Sequence, residues 1–219
     1  MLRRSLGGPA VAVWLFAQAA APAGFGPTTV LTINAADSRV VILVGKTGVL
    51  SFAGHAHEVL APSVSGRVTF DPADWQHASV ALEFDASALR VTGKGESPTD
   101  VPEVQRVMLS GQVLDVTRFP TVAFQSRRVS VTVRTATSAD VLIEGDMVLH
   151  GTTRPMTIRA AVALDADGRL TARGSFSLKQ TEFGMVPVTA VGGTVRVKDE
   201  LDIQFVLKAS PSHETSAAR

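Results

Sequence analysis

His55 and His57 sit one residue apart and are followed by Glu58. In an extended segment both imidazoles project from one face, at a spacing that suits a metal. His77 or His150 is the candidate third ligand. A histidine pair without a placed third ligand is weak support for a metal centre. The same side chains suit hydrogen bonding to a ligand at the rim of a site, and that reading is favoured. Acyl-transfer chemistry has less support, because no Gly-x-Ser-x-Gly elbow occurs and there is no cysteine nucleophile. Gly93-Lys-Gly95 is too short for a phosphate-binding loop and reads as a flexible turn. Glu182, beside Phe183 and Gly184, reads as a surface-loop residue in preference to a buried carboxylate. The expectation is a protein that is not an enzyme, with no catalytic residues, no metal set and no cofactor.

Composition narrows the partners. The 219 residues carry 21 basic and 20 acidic side chains, a net charge of +1, which gives no electrostatic case for nucleic acid. Aromatics are 5% and tyrosine is absent, which weakens base stacking as well. Without disulfides, a packed core must supply the stability, and 45% hydrophobic residues can do so.

The elements that position these residues read mostly as strands. Val80, Leu82 and Phe84 alternate with polar or small neighbours, as do Val141, Ile143, Met147 and Leu149. The sets Met156 to Leu164, Leu170 to Leu178 and Leu201 to Leu207 repeat the pattern. Period-2 alternation predicts antiparallel sheet with one apolar face and one wet face. Turn signals separate the runs at Asp71–Asp74, Thr135–Ser138, Asp165–Gly168 and Gly192-Gly193. Between Pro98 and Val116, Val101, Val104 and Met108 recur at helical spacing behind Thr99, Asp100 and Pro102, which predicts one helix or two short ones. A second short helix is expected near Phe52 to Leu60.

Residues 1–26 read as a signal peptide. Arg3 and Arg4 precede the short apolar run Pro9 to Phe16, and the small-residue patterns Ala17-Gln-Ala19 and Ala21-Pro-Ala23 follow. Residues 27–209 then form one domain, and 210–219 a polar disordered tail. About eight strands apolar on one face make a sandwich or a closed barrel. Alternation alone does not distinguish a dry core from a lumen that encloses a ligand.

Met108 to Pro120, followed by Thr-Val-Ala-Phe-Gln-Ser126, resembles the helix and "Phe-Pro-x-x-x-Phe-x-Ser" strand entry of YceI-like proteins. Gly145 to Pro155 resembles their "Gly-x-Leu-x-x-x-Gly-x-x-x-Pro" hairpin, and Lys179 to Gly184 their "Arg-x-x-Phe-Gly" element. Ser38 to Ile42 and Gly66 to Asp71 resemble the opening strands. The resemblance implies an all-β, antiparallel, lipocalin-like barrel with one or two short helices. It also implies a periplasmic setting and a lumen for a long isoprenoid or similar amphiphile. Gly54 to Glu58 and Thr99 to Glu103 depart from the family pattern near a ligand entrance, so ligand identity does not carry over.

The expectation is therefore a periplasmic carrier of an isoprenoid-like lipid, such as a quinone or polyprenyl chain. The tail is expected to touch Phe70, Leu82, Phe84, Phe124 and Ile143, and further along Met147, Ile158, Phe176 and Phe205. The head is expected near His55, His57 or the helix at Met108. Met108, Met147, Met156 and Met185 suit an irregular tunnel, because thioethers adapt their shape, but for any one of them filling a core is the favoured reading. Transient contact with a membrane or membrane protein, and a homodimer, are further expectations. Two alternatives remain open: a structural or adaptor barrel with a filled lumen, and a metal- or haem-linked redox accessory using the two histidines.

Overall fold

A computed structural model of the chain describes residues 28–47, 57–71, 73–190 and 195–211. Eight antiparallel strands form a closed ring: β1 (Thr29–Ile33), β4 (Val64–Asp71), β5 (Asp74–Asp85), β7 (Thr121–Arg134), β8 (Ser138–Leu149), β9 (Thr152–Leu164), β10 (Leu170–Lys179) and β12 (Val195–Pro211). The ring closes because β12 turns back onto β1, with Leu31 opposite Pro211 and Ile33 opposite Ala209. β12 thus runs two residues into what the sequence reads as the tail. Residues 1–26, Gly192-Gly193 and the rest of the tail lie outside the described residues.

Three further strands lengthen the wall at one end. β2 (Arg39–Thr47) follows β1 along the same edge of β12, with Phe205 opposite Val40 and Arg196 opposite Thr47. β3 (His57–Leu60) pairs with β2, and β6 (Arg90–Val91) pairs with β3. A further two-residue strand, β11 (Thr189–Ala190), pairs with the start of β12. The expected helix near Phe52 to Leu60 is not formed at His57–Leu60, where Val59 is buried and the backbone bonds β2. Tertiary pairing overrides the local preference there. The remainder of that helix lies outside the described residues.

The alternation in the sequence becomes the inside and outside of the barrel. Val141, Met147 and Leu149 of β8 are buried, whereas Glu144 and Asp146 face outward and pair with Arg128 and Arg127 of β7. The Arg128 guanidinium donates to both oxygens of Glu144, at 2.9 and 2.7 Å, and holds that carboxyl below its ordinary range. Apolar residues thus point inward and charged ones outward, the reverse of an outer-membrane barrel. Hairpin geometry fixes the register. Leu149 lies opposite Thr152, and the two-residue loop His150-Gly151 has φ of 50° and 69°, as a type I′ turn requires.

One end of the barrel is shut. Phe70 and Trp75, both 4% exposed, flank the β4–β5 hairpin and meet edge-on with ring centroids 5.8 Å apart. Leu31, fully buried, lies opposite Val68 on the adjoining strand. The opposite end is built differently. The helix α1 (Val101–Leu109) stands beside β6, and its Gln105 side chain completes the strand edge. The Gln105 Oε1 accepts from the Val91 N–H and its Nε2 donates to the Leu89 carbonyl, both at 2.8 Å. A side-chain amide thus satisfies backbone groups that a neighbouring strand would otherwise take.

Candidate functional site

The inward side chains do not meet in the middle. A cavity of about 940 Å³ runs from Phe70 and Trp75 at the shut end to Lys46, His57, Glu96 and Asp100 at the other. Specific ligand sites fall at roughly 300–1,000 Å³, so this lumen lies near the upper end. Two glycines help to keep it open. A Cβ on Gly145 would come within 2.7 Å of the Phe124 ring, and one on Gly174 within 2.6 Å of the Phe205 ring. Each phenyl therefore lies over a glycine on the neighbouring strand, in space that a side chain would fill. Ala160 and Ala172 keep the adjacent wall thin.

Every described residue expected at the ligand site lines this cavity. Phe70, Leu82, Phe84 and Phe124 stand on β4, β5 and β7, and Ile143 and Met147 on β8. Ile158, Phe176 and Phe205 complete the wall, while Met108 reaches it from α1. His57 lines the end near α1. His55 lies outside the described residues. Of the four methionines suited either to a tunnel or to core filling, Met108, Met147 and Met185 border the cavity, while Met156 packs against the core.

The rim is polar and charged. His57 and Glu96 are largely enclosed, with side chains 15% and 4% exposed. His57 Nδ1 and Glu96 Oε1 are 2.8 Å apart, yet the geometry is out of line for a hydrogen bond, and neither atom has a hydrogen-bond partner among the described residues. At that separation the two groups attract by charge whenever the imidazole is protonated. Lys46, Asp100 and Glu103 complete the charged rim. Arg106 donates to both oxygens of Glu103 and holds its carboxyl below the ordinary value. Asp100 occupies the N-cap position without making a side-chain cap bond.

The opposite side of the rim comes from the segment after β10. Gln180, 4% exposed, donates to the Lys198 carbonyl at 2.8 Å and lines the cavity. Phe183, fully buried, anchors this turn, and Gly184 closes it with φ of 76°. Asp199 accepts from the Thr181 N–H and hydroxyl, and these bonds hold its carboxyl below the ordinary aspartate value. Glu182 is exposed, as expected, but sits in a short 3-10 turn, Gln180–Phe183, and not in an irregular loop.

The residues weighed as further metal ligands beside His57 are not brought together. Glu58 points outward to Lys94 and Arg39. His77 pairs with Asp74 beside the shut end, and His150 Nδ1 donates to the Phe183 carbonyl. Among the described residues, no group of three or more His, Cys, Asp or Glu is placed to hold a metal. Sequence reasoning missed Glu96. Its loop was legible as the turn Gly93-Lys-Gly95, and both glycines do adopt left-handed φ, 74° and 76°. No periodicity marked the side chain that follows them as enclosed.

Comparison with known proteins adds to this geometry. Residues 31–209 match the YceI-like domain family. No curated protein matches the chain. Among solved structures, BcnA of Burkholderia cenocepacia superposes with a TM-score of 0.64 at 19% identity, covering 81% of this chain and 99% of that one. A polyisoprenoid binding domain from Saccharophagus degradans, implicated in plant cell wall breakdown, gives 0.58 at 12% identity, covering 83% and 98%. The YceI protein of Campylobacter jejuni gives 0.54 at 13%, covering 71% and 85%. At these identities the likeness speaks for the fold.

Proposed function

The chain belongs to the YceI-like family, and on that premise we propose that it is a periplasmic carrier holding the apolar tail of a long isoprenoid-like lipid in its lumen. The observation that carries this reading is the unfilled apolar cavity of about 940 Å³ along the barrel. The similarity to a polyisoprenoid binding domain points the same way. Each buried methylene contributes ~0.8 kcal/mol, and association costs on the order of 4–15 kcal/mol. A short acid or alcohol therefore dissociates readily, while a tail of about ten or more carbons can be retained. The polar rim at His57, Glu96 and α1 would leave the head accessible to a donor or acceptor membrane. The protein binds and releases its cargo without chemistry, and the basic and apolar residues 1–26 direct its export.

Organic extraction of protein purified from its own producing cells, followed by mass spectrometry, tests the proposal. The expected result is one long-chain lipid in near-stoichiometric amount. A protein that carries nothing and also refuses added long-chain lipids would overturn it.

A further inference from the structure

On the reading that the lumen holds a lipid tail, we propose that Lys46 binds the head of that lipid and that the head is anionic. Val40, Ile42 and Val44 of β2 line the cavity at every second residue, and Lys46 is the next inward position of the same row. The row thus ends on an ammonium where an apolar side chain would continue the wall. Lys46 is half-buried, and the residue opposite it on β12, Val197, also lines the cavity. Among the described residues that line the cavity, Lys46 is the only lysine or arginine. None of the ion pairs among the described residues includes it. Lys198 shows the contrast. It is exposed and lies over Gly45, one residue out of phase, where a Cβ would come within 2.7 Å of its Cδ.

Head chemistries differ in what they offer this group. An ammonium has three donors and no acceptor, and a carboxylate or phosphate has acceptors and the opposite charge. Such charge-assisted bonds are roughly twice as strong as neutral ones. A hydroxyl or quinone carbonyl accepts without the charge, and an amine head is repelled. The acidic residues of the rim oppose an anion less than their number suggests. Glu96 is paired with His57, and Glu103 with Arg106. Asp100, exposed at the start of α1, is in no ion pair among the described residues, and its charge is spread into water. Glu58, Lys94 and Arg39 form their own cluster on the outer face. A lysine at the edge of an apolar wall can also rest its stem on that wall and hold its head in water. That role is indifferent to the chemistry of the ligand head, so a comparison of heads separates the two.

Four probes with one tail decide the matter: geranylgeranoic acid, geranylgeranyl monophosphate, geranylgeraniol and geranylgeranylamine. Each is titrated at pH 7 into delipidated protein and into Lys46→Met, which keeps an unbranched stem on the wall and removes the charge. Both anions should bind the wild type about tenfold more tightly than the alcohol, the difference between a charge-assisted and a neutral hydrogen bond. The amine should bind most weakly. Lys46→Met should close the gap by weakening the anions, and Lys46→Arg should restore it, whereas a merely structural lesion would weaken all four probes alike. Lys46→Gln serves where Lys46→Met does not fold, with the same expectation. Tighter binding of the phosphate than of the acid would assign the head to a lipid phosphate, and the reverse to a long-chain acid; either supports the proposal. Equal binding of all four, a preference for the alcohol or amine, or an anion preference that survives loss of the Lys46 charge would overturn it while leaving the lipid-carrier reading intact. Failure of every probe to bind would remove both.

Discussion

The two ends of the barrel solve opposite problems with the same strands. At the β4–β5 end, Phe70 and Trp75 close ring against ring, and nearby polar groups bond locally, such as Asp71 Oδ1 to the Ala73 N–H at 2.7 Å. At the α1 end the strand ring gives way to a helix, and an enclosed His57–Glu96 pair borders the lumen, its Nδ1 and Oε1 making no hydrogen bond among the described residues. The first end has the character of a folded core. The second carries unsatisfied polar atoms, which cost stability unless something else uses them. The difference separates what holds the barrel together from what the barrel holds.

The largest expected effect lies at the shut end. Trp75→Ala should cost roughly 3–5 kcal/mol in denaturant unfolding, the usual range for removing a buried aromatic. A loss below about 1 kcal/mol would mean that this end is not the structural one. The next effect concerns cargo. Ala172→Phe places a ring in existing empty space, so lipid retention should fall about tenfold or more while stability changes by about 1 kcal/mol or less. Parallel loss of both would mean that the lumen is a packed core.

The rim should respond in the opposite sense to the floor. Replacing both members of the pair, as His57→Leu with Glu96→Met, should leave stability unchanged or raise it by about 1 kcal/mol, because no buried polar atom is then left unpaired. A loss comparable to that of Trp75→Ala would erase the distinction between the two ends. The smallest effect is acid sensitivity at the turn after β10. The Asp199 carboxyl is held below its ordinary value of 3.8 by the Thr181 hydroxyl and N–H. Its contribution is thus present above pH 3.8 and is lost as pH falls through the lower folded value. Asp199→Asn should flatten that acid-side loss, as read by hydrogen exchange at Thr181. An unchanged profile would show that the turn does not depend on the carboxylate.

Much of this architecture was legible before the fold. Leu201, Ile203, Phe205 and Leu207 face inward because a single parity runs unbroken through them. The β7 wall was harder to read. A bulge between Ser126 and Arg128 shifts the register, so Phe124 and Val129 both line the lumen despite opposite parity. The division of β1 from β2 at Asn34–Ser38 was equally hidden, because both residues reach Lys208 of β12, a pairing that no local pattern shows. His57 stood out by residue type, whereas Glu96 gained its environment from the barrel and α1 closing around a loop. Long-range enclosure of that kind leaves no local pattern. Nor does alternation reveal that Phe124 and Phe205 lie over glycines and so leave the lumen open.

Trp75 offers the most direct test. It borders the shut end of the cavity, and a chain lacking residues 1–26 has no other tryptophan. Titration with a long-chain alcohol brominated at its tail terminus should quench Trp75 fluorescence to saturation at one equivalent, and an octyl analogue should quench far less. Tight binding of the long alcohol without quenching, or quenching that ignores tail length, would contradict a tail lying along the lumen.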